Sequence, residues 1–316
     1  MSSEASRLAS YLTARRSQVT PEDVGYPRDP YRRVKGLRRE EVADLAGISL
    51  EYYIRLEQGR AFQPSEQVLA GLSRALRLDA NAAAYLYRLA LPTPSITVAR
   101  QKTPPSNQLV HLIDQWSNLP VYVFDRNQDI LITNNLARAL FPSLREAGYN
   151  NIVAVFSAPT KNRDIERWRS LARGAVAALR FHGDPADPRL QEIVGDLSMR
   201  DADFRAMWAD HDAQPLNSGT SPVLVTDFGV GDFDWQILNV PDGHFMMVWL
   251  AAPGTFAAAA FEFLRRRVQS ETVKLFPPVL QPTGLTHSDS VESDVVQQQY
   301  LERAQSDSQP LLGEAS

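Results

Sequence analysis

The stretch that decides the fold is Leu37–Arg60, LRREEVADLAGISLEYYIRLEQGR, in which two short helical patterns flank one glycine. Val42 and Leu45 give the first pattern an apolar face. Gly47 then ends it, because glycine readily adopts the left-handed conformation that closes a helix. Ser49 is a favourable N-cap for a second helix. The stretch therefore predicts two helices joined by a tight turn.

The second helix of this pair has a core face and an outer face. Ile48, Tyr52 and Leu56 recur every four residues and are predicted to face the core, whereas Tyr53 fits either face. A helix whose outer face projects from a bundle fits the major groove of B-DNA. The residues that we expect to contact DNA are Arg38, Arg39, Ser49, Leu50, Glu51, Tyr53, Ile54, Arg55 and Arg60.

Arg38 and Arg39 precede the first helix of the pair and would meet phosphates or a guanine edge. We interpret Glu57 as a structural residue paired with Arg15 or Arg16. The alternative is a protein-interaction module whose arginines form a solvated face. The motif alone does not exclude that alternative.

Charge is distributed unevenly along the 316 residues, whose net charge is -4. Between Arg28 and Arg39 there are six basic residues and one acidic residue. From Glu271 onward there are seven acidic residues and two basic ones. A basic segment near the front suits nucleic acid, and the acidic end cancels it in the total. The net charge is thus a poor guide to the partner.

The rest of the first 91 residues also reads as helix. Ser6–Arg16 forms one pattern, Ser65 is expected to cap a fourth helix, and Asn81 is expected to cap a fifth that ends near Ala90. The proline-rich residues 92–106 read as a linker. We therefore predict a helical DNA-binding domain at 1–91, a second domain at 107–270 and an acidic, largely disordered tail at 271–316.

The second domain mixes strand and helix patterns, which predicts an α+β fold. Helices are expected at Asn107–Trp116, Asn135–Phe141, Asn162–Leu179, Arg189–Met199, Ala202–Ala209 and Thr255–Val268. Strands are expected at Val121–Phe124, Ile130–Thr133, Val223–Phe228, Phe233–Val240 and His244–Ala251. Gly229-Val230-Gly231-Asp232 is read as a turn between two strands. A small antiparallel sheet with helices would bury these apolar runs.

Several strings resemble the MmyB-like transcription regulators, whose helix-turn-helix belongs to the XRE (lambda repressor/Cro-like) class. GLRREEVADLAGIS, EYYIRLEQGR and LSRALRLDANAAAYLYRLA carry the resemblance in the first domain, and DFRAMWADHD and WLAAPGT carry it in the second. The resemblance implies a sequence-specific transcription regulator. It also implies that the second domain is a PAS-like antiparallel sheet with helices.

The resemblance further implies a pocket for an apolar, fatty-acid-like ligand. The residues expected to line it are Asn134, Trp208, His211, Trp235 and Trp249. Helix capping explains Asn134 equally well, and a capping or core role suits His211 better. In the alternative reading, the second domain only dimerises or contacts RNA polymerase and binds nothing.

A single helix-turn-helix reads few base pairs, so we expect a homodimer on double-stranded DNA. The stripe of Leu109, Leu112, Ile113 and Trp116 is the candidate interface, unless it packs on its own sheet.

Most other chemistry finds no support in the sequence. There is no cysteine, and the five histidines are scattered without metal-ligand spacing, so neither a metal nor another cofactor is expected. The chain contains no nucleophile, zinc or phosphate-loop motif, which argues against an enzyme. Its longest apolar run, Phe245–Ala252, is too short to span a membrane, and we expect the cytoplasm.

Overall fold

A computed structural model describes residues 3–27, 31–60, 63–91, 104–145, 148–157, 163 and 166–270. The chain divides into two compact units. Residues 1–101, 176–181 and 202–215 make up the first, and residues 102–175, 182–201 and 216–316 make up the second. Most of the predicted linker and all of the predicted acidic tail lie outside the described residues.

The front of the first unit is a bundle of short helices, as predicted. They are α1 (Ser3–Gln18), α2 (Arg39–Ala46), α3 (Leu50–Glu57), α4 (Glu66–Ala75) and α5 (Ala80–Ala90). A single 3-10 turn, Glu22–Val24, follows α1. The predicted cap of α5 is wrong by two residues. Asp79 caps that helix, since its carboxylate accepts a hydrogen bond from the Ala82 amide at 2.8 Å.

The turn between α2 and α3 forms as the sequence predicts. Gly47 has a φ of +69°, in the left-handed region. The Ser49 hydroxyl accepts a hydrogen bond from the Tyr52 amide at 3.2 Å and so caps α3. Gly71 lets α4 approach α2 closely, because a Cβ there would lie 2.3 Å from the Ala46 carbonyl oxygen. These contacts fix α2 and α3 in one geometry.

One apolar core joins the helices of this bundle. Tyr53, Leu56, Leu69 and Leu72 are fully buried in it. Ala213, from outside the predicted first domain, belongs to the same cluster. The first unit is therefore larger than residues 1–91.

The second unit is built on five antiparallel strands in the order β2-β1-β5-β4-β3. The strands are β1 (Val121–Phe124), β2 (Ile130–Thr133), β3 (Ser218–Val225), β4 (Gly229–Val240) and β5 (His244–Leu250). This sheet and its helices confirm the predicted α+β class, with a PAS-like domain following the helical one.

The stretch Gly229-Val230-Gly231-Asp232 lies within β4 and is not a turn, contrary to the prediction. The turn lies at Thr226-Asp227-Phe228, where Asp227 supplies the left-handed residue with a φ of +66°. Gly231 lies within β4 and makes room for a ring, since a Cβ there would lie 2.1 Å from a carbon of Phe256. Gly231 therefore allows close packing and does not reverse the direction of the chain.

The remaining helices of the described residues precede β1, follow β5 or lie between β2 and β3 in the sequence. They are α6 (Asn107–Gln115), α7 (Asn135–Leu140), α8 (Asn151–Ser157), α9 (Glu166–His182), α10 (Pro188–Arg200), α11 (Ala202–Ala209) and α12 (Phe256–Ser270). Helix α8 was not predicted, and residue 162, the predicted start of α9, is outside the described residues.

The sheet has an aromatic face and an aliphatic face. Residues of α7 and α12 pack with the aromatic face. Leu109 and Ile113 of α6 pack with Val121, Val123 and Met246 on the aliphatic face. None of the helices that the structure describes is long and apolar enough to cross a membrane.

Candidate nucleic-acid interface and ligand site

Helix α3 presents one buried face and one exposed face. Tyr53, Leu56 and Glu57 are buried. On the opposite side Ser49, Leu50, Glu51 and Arg55 are exposed, and Ile54 is half-buried. Arg60, after the helix, is exposed as well. Apart from Tyr53, the residues predicted on this helix for DNA thus lie on the side away from the core.

Tyr53 is the exception, and its predicted contact with DNA is wrong. Its side chain is fully buried in the core. Its hydroxyl donates a hydrogen bond to Glu57 Oε1 at 2.8 Å. Tyr52, predicted for the core, is only half-buried against the same cluster. A side chain that is both enclosed and hydrogen-bonded inside the bundle cannot reach a groove.

Glu57 is the hub of a buried network. Besides the Tyr53 hydroxyl, its carboxylate accepts hydrogen bonds from Arg16 Nε and Arg39 Nε, each at 2.6 Å. Burial by itself raises the pKa of Glu57, but the bonds from Arg16, Arg39 and Tyr53 outweigh it and hold the pKa below its usual range. The predicted structural role is confirmed, with Arg16 as the partner from α1.

The predicted arginines at the start of α2 are both exposed. The Arg39 side chain is 53% exposed, so its terminal nitrogens remain accessible while its Nε is held by Glu57. The Arg38 backbone amide donates to Glu41 Oε2 at 2.6 Å, and its guanidinium lies 3.6 Å from the carboxylate of Glu40. Helix α2 therefore begins with two outward cations on a fixed backbone.

Asn134 is fully used by the fold, and nothing supports its predicted ligand contact. Its Oδ1 accepts from the amides of Ala137 and Val121, at 2.8 and 3.1 Å. Its Nδ2 donates to the carbonyls of Trp116 and Leu119, at 2.9 and 2.7 Å. Two donors and two lone pairs are all that a side-chain amide offers. Asn134 is the cap of α7, and it also holds the start of β1.

Trp235 and Trp249 both lie on the aromatic face of the sheet, each 6% exposed. The indole Nε1 of Trp235 donates to the Ser221 hydroxyl at 3.0 Å. The indole Nε1 of Trp249 is buried and makes no hydrogen bond of normal geometry with the described residues, although the Tyr122 hydroxyl lies close enough to interact with it. Its ring packs on Phe141 with centroids 4.9 Å apart. A ligand on this face would meet the weakly bonded indole N–H of Trp249 beside the Tyr122 hydroxyl.

Tyr122 adds a second polar atom to the same face. It pairs with Met247 across β1 and β5, two residues before Trp249. Its hydroxyl donates to the Met247 sulfur at 2.8 Å, and a thioether is a weak acceptor. Burial raises the pKa of Tyr122 above its usual range, so the phenol stays protonated. No sequence signal singles out Tyr122, because tyrosine suits any buried strand.

Trp208 and His211 belong to the first unit, whereas Asn134, Trp235 and Trp249 belong to the second. The Arg180 guanidinium lies 3.8 Å from the centroid of the Trp208 ring, and its Nη1 is 3.3 Å from His211 Nδ1. Burial, aided by the charge of Arg180, lowers the pKa of His211 to about 4. This cluster is a neutral histidine and a tryptophan assembled around a buried arginine. It gives no support to their predicted place in the ligand pocket.

Comparison with known families identifies both parts of the chain. A model of a helix-turn-helix domain matches residues 7–86, which contain α2 and α3. A model described as the MmyB-like transcription regulator ligand binding domain matches residues 105–264, half of the chain. The chain belongs to the MmyB-like transcription regulators.

The regulator is accordingly a DNA-binding protein with a domain of the ligand-binding type. Both matched families are domains of transcription regulators and not of enzymes. No curated protein is similar enough to this regulator to count as a match. Within the described part of the chain, no cluster of three or more histidine, aspartate or glutamate side chains is arranged to hold a metal ion.

Proposed function

We propose that α3 is the recognition helix and lies in the major groove of double-stranded DNA. Ser49, Leu50, Glu51, Ile54 and Arg55 would face base edges, because they occupy its outer side from the N-terminal end. Arg38, Arg39 and Arg60 would contact phosphates. The observation that carries the proposal is the division of α3 into a fully packed inner face and an exposed outer one.

The test is an operator titration with the full chain and a duplex selected by the protein from a random pool. Arg55→Ala should weaken binding of that duplex by about 1–3 kcal/mol and relax preference at one position if Arg55 reads a base. Arg39→Ala should reduce the magnitude of the salt slope by about 1, as expected for one lost phosphate contact. Arg74→Ala, an exposed cation on α4, is the control. Unchanged binding in both test variants would place the interface elsewhere.

We further propose that the regulator acts in the cytoplasm. We also propose that it is a homodimer, because one helix-turn-helix covers too few base pairs. Leu109 and Ile113 are buried against the sheet, so they cannot form the interface. Leu112, which is 43% exposed, and the half-buried Trp116 are what remains of the predicted stripe. Leu112→Glu should shift the protein toward monomer in sedimentation, with Leu171→Glu as the exposed control.

We propose that the second unit binds an apolar molecule bearing a hydrogen-bond acceptor, of which a fatty acid is one example. The support is the aromatic face of the sheet, where the Trp249 indole N–H and the Tyr122 hydroxyl are buried among apolar side chains. A buried donor without a partner costs free energy, which an acceptor on a ligand would offset. A ligand that prefers one arrangement of the dimer would shift DNA affinity, typically by about 5- to 150-fold.

The rival function is a second unit that only dimerises or contacts RNA polymerase. Dense ring packing favours it, since Phe233 contacts Trp249, Phe256 and Phe261 with centroids 5.5 to 6.5 Å apart. Mass spectrometry of extracts from the purified protein separates the two readings. A co-purifying apolar molecule that alters operator binding when restored to stripped protein supports sensing. Failure to detect one, together with unaltered binding in Trp249→Phe, supports the rival.

A further inference from the structure

A short basic segment, Tyr31–Leu37, leads into α2 and has no part in the interface described above. We call it the strap. Tyr31 is 90% exposed and Val34 is 48% exposed, while Arg33 and Lys35 are exposed cations. Such a segment would ordinarily be a solvated loop. The strap differs from such a loop because it is anchored to the helical bundle.

Arg32 fastens the strap from within. Its Nη1 and Nη2 donate to the two oxygens of Glu41, each at 2.6 Å. It also donates to the carbonyls of Val34, at 3.0 Å, and Gly36, at 2.6 Å. The hydrogen bonds from Arg32 hold the pKa of Glu41 below its usual range. Since Glu41 also accepts from the amide of Arg38, the residue just before α2, Arg32 links the strap to the start of that helix.

The far end of the strap is fastened by α1. The Leu37 amide donates to the Arg16 carbonyl at 3.0 Å, and the Leu37 side chain is fully buried. Gly36 lies flat on α1, because a Cβ there would come within 2.5 Å of the Arg16 carbonyl oxygen and the Ser17 Cα. Both ends of the strap are thus fixed.

Because both ends of the strap are fixed, the positions of its two exposed cations are fixed as well. With Arg32, Gly36 and Leu37 turned inward, Arg33 and Lys35 project outward on a preorganised backbone. Lys35 precedes Arg39 by four residues, so the two Cα atoms are at most about 14 Å apart. Preorganised cations lose less entropy on binding than those of a flexible loop.

We propose that Arg33 and Lys35 form a second DNA contact, binding phosphates that flank the groove occupied by α3. The inference rests on the proposed function, since it needs α2 to begin at the DNA backbone. The occupant is nucleic acid because the exposed charged groups of the strap, Arg33 and Lys35, are both cations and adjoin Arg38 and Arg39 in the sequence. The strap thereby widens the footprint beyond the bases that α3 reads.

Salt dependence of binding tests this proposal. The full-length Arg33→Gln/Lys35→Gln variant is titrated with the selected duplex over a range of salt, beside Arg74→Gln/Arg145→Gln, which removes the same charge from exposed positions elsewhere. Loss of two phosphate contacts should reduce the magnitude of the logarithmic salt slope by about 1.8. The control should keep the slope of the unaltered protein. Equal slopes in the two variants would overturn the proposal.

Tethered cleavage locates the strap directly, because the chain has no cysteine. An iron-chelate cleavage reagent is attached through Lys35→Cys, and separately through Glu51→Cys and Arg74→Cys. The reagent at position 35 should cut the backbone beside the bases cut from position 51, and that at position 74 should not cut there. Cuts from position 51 without cuts from position 35 would refute the strap contact alone. If the unaltered protein bound no duplex, the proposed strap contact and the proposed function would both fail.

Discussion

Two buried side chains with polar atoms, one in each unit, differ in how those atoms are hydrogen-bonded. The Glu57 carboxylate, in the first unit, accepts hydrogen bonds from Arg16, Arg39 and Tyr53. The Trp249 indole N–H, in the second, makes no hydrogen bond of normal geometry with the described residues and only approaches the Tyr122 hydroxyl. Both lie among apolar side chains, where an unpaired polar group costs free energy.

The difference suits two different tasks. A carboxylate surrounded by donors from α1, α2 and α3 holds those helices in one arrangement, as a DNA reader requires. A buried donor without a well-formed hydrogen bond, such as the Trp249 N–H beside its aromatic neighbours, would allow an acceptor on a ligand to bind to it. We therefore expect the first site to respond strongly to substitution. The second should respond weakly until a ligand is present.

The largest effect is expected at Glu57. Glu57→Ala leaves the largely buried Arg16 guanidinium and the buried Tyr53 hydroxyl without their acceptor. Removing one partner of a buried ion pair typically destabilises a protein by about 3–5 kcal/mol. Chemical unfolding of the full chain, followed by circular dichroism, measures the loss.

Glu51→Ala is the matched control, because Glu51 is an exposed glutamate on the other face of α3. It should alter stability by less than about 0.5 kcal/mol. Similar losses in the two variants would contradict the view of Glu57 as the hub of the unit.

A smaller effect is expected from the two tryptophans. Trp235→Phe removes the hydrogen bond to Ser221 and should cost about 0.5–1.5 kcal/mol beyond the change in ring size. Trp249→Phe removes an N–H that makes no such bond, so it should cost less. Thermal unfolding by circular dichroism compares them. A larger loss at Trp249 in ligand-free protein would show that its N–H already has an acceptor.

The effect that is smallest at neutral pH is a pH dependence from His211, which grows as the pH falls. Burial and the Arg180 charge lower its pKa from 6.5 to about 4. Between these values the unfolded chain binds a proton that the folded chain does not, so this contribution to stability falls as pH drops from 6.5 to 4.

His211→Asn should flatten that slope. Asparagine tolerates the φ of +55° found at this position. Unfolding free energies at neutral pH and near pH 5 provide the measurement. An unchanged slope would mean that His211 is protonated in the fold.

The two adjacent tyrosines show where sequence reasoning stopped. Four-residue spacing correctly placed Leu56 in the core, but it favoured Tyr52 over Tyr53 as the buried ring. Neighbouring residues lie about 100° apart on a helix, so both tyrosines border the apolar face. Which tyrosine is buried depends on Glu57, one turn beyond Tyr53, and on Arg16, which is 41 residues from Glu57 in the sequence. Local periodicity carries no information about that partner.

The sequence by itself determined the α+β class, the helix-turn-helix, the capping of α3 by Ser49 and the two-domain family. The first three depend on short-range patterns of apolar spacing, capping and glycine, which a linear chain displays directly, whereas the family rests on the resemblance of whole motifs. Only the tertiary structure decided that Tyr53 faces inward, that Asn134 is used up by the fold, and that Arg32 and Gly36 fasten the strap. Those outcomes depend on which distant groups meet in space, and a hydrogen bond between residues far apart in the chain leaves no periodic trace.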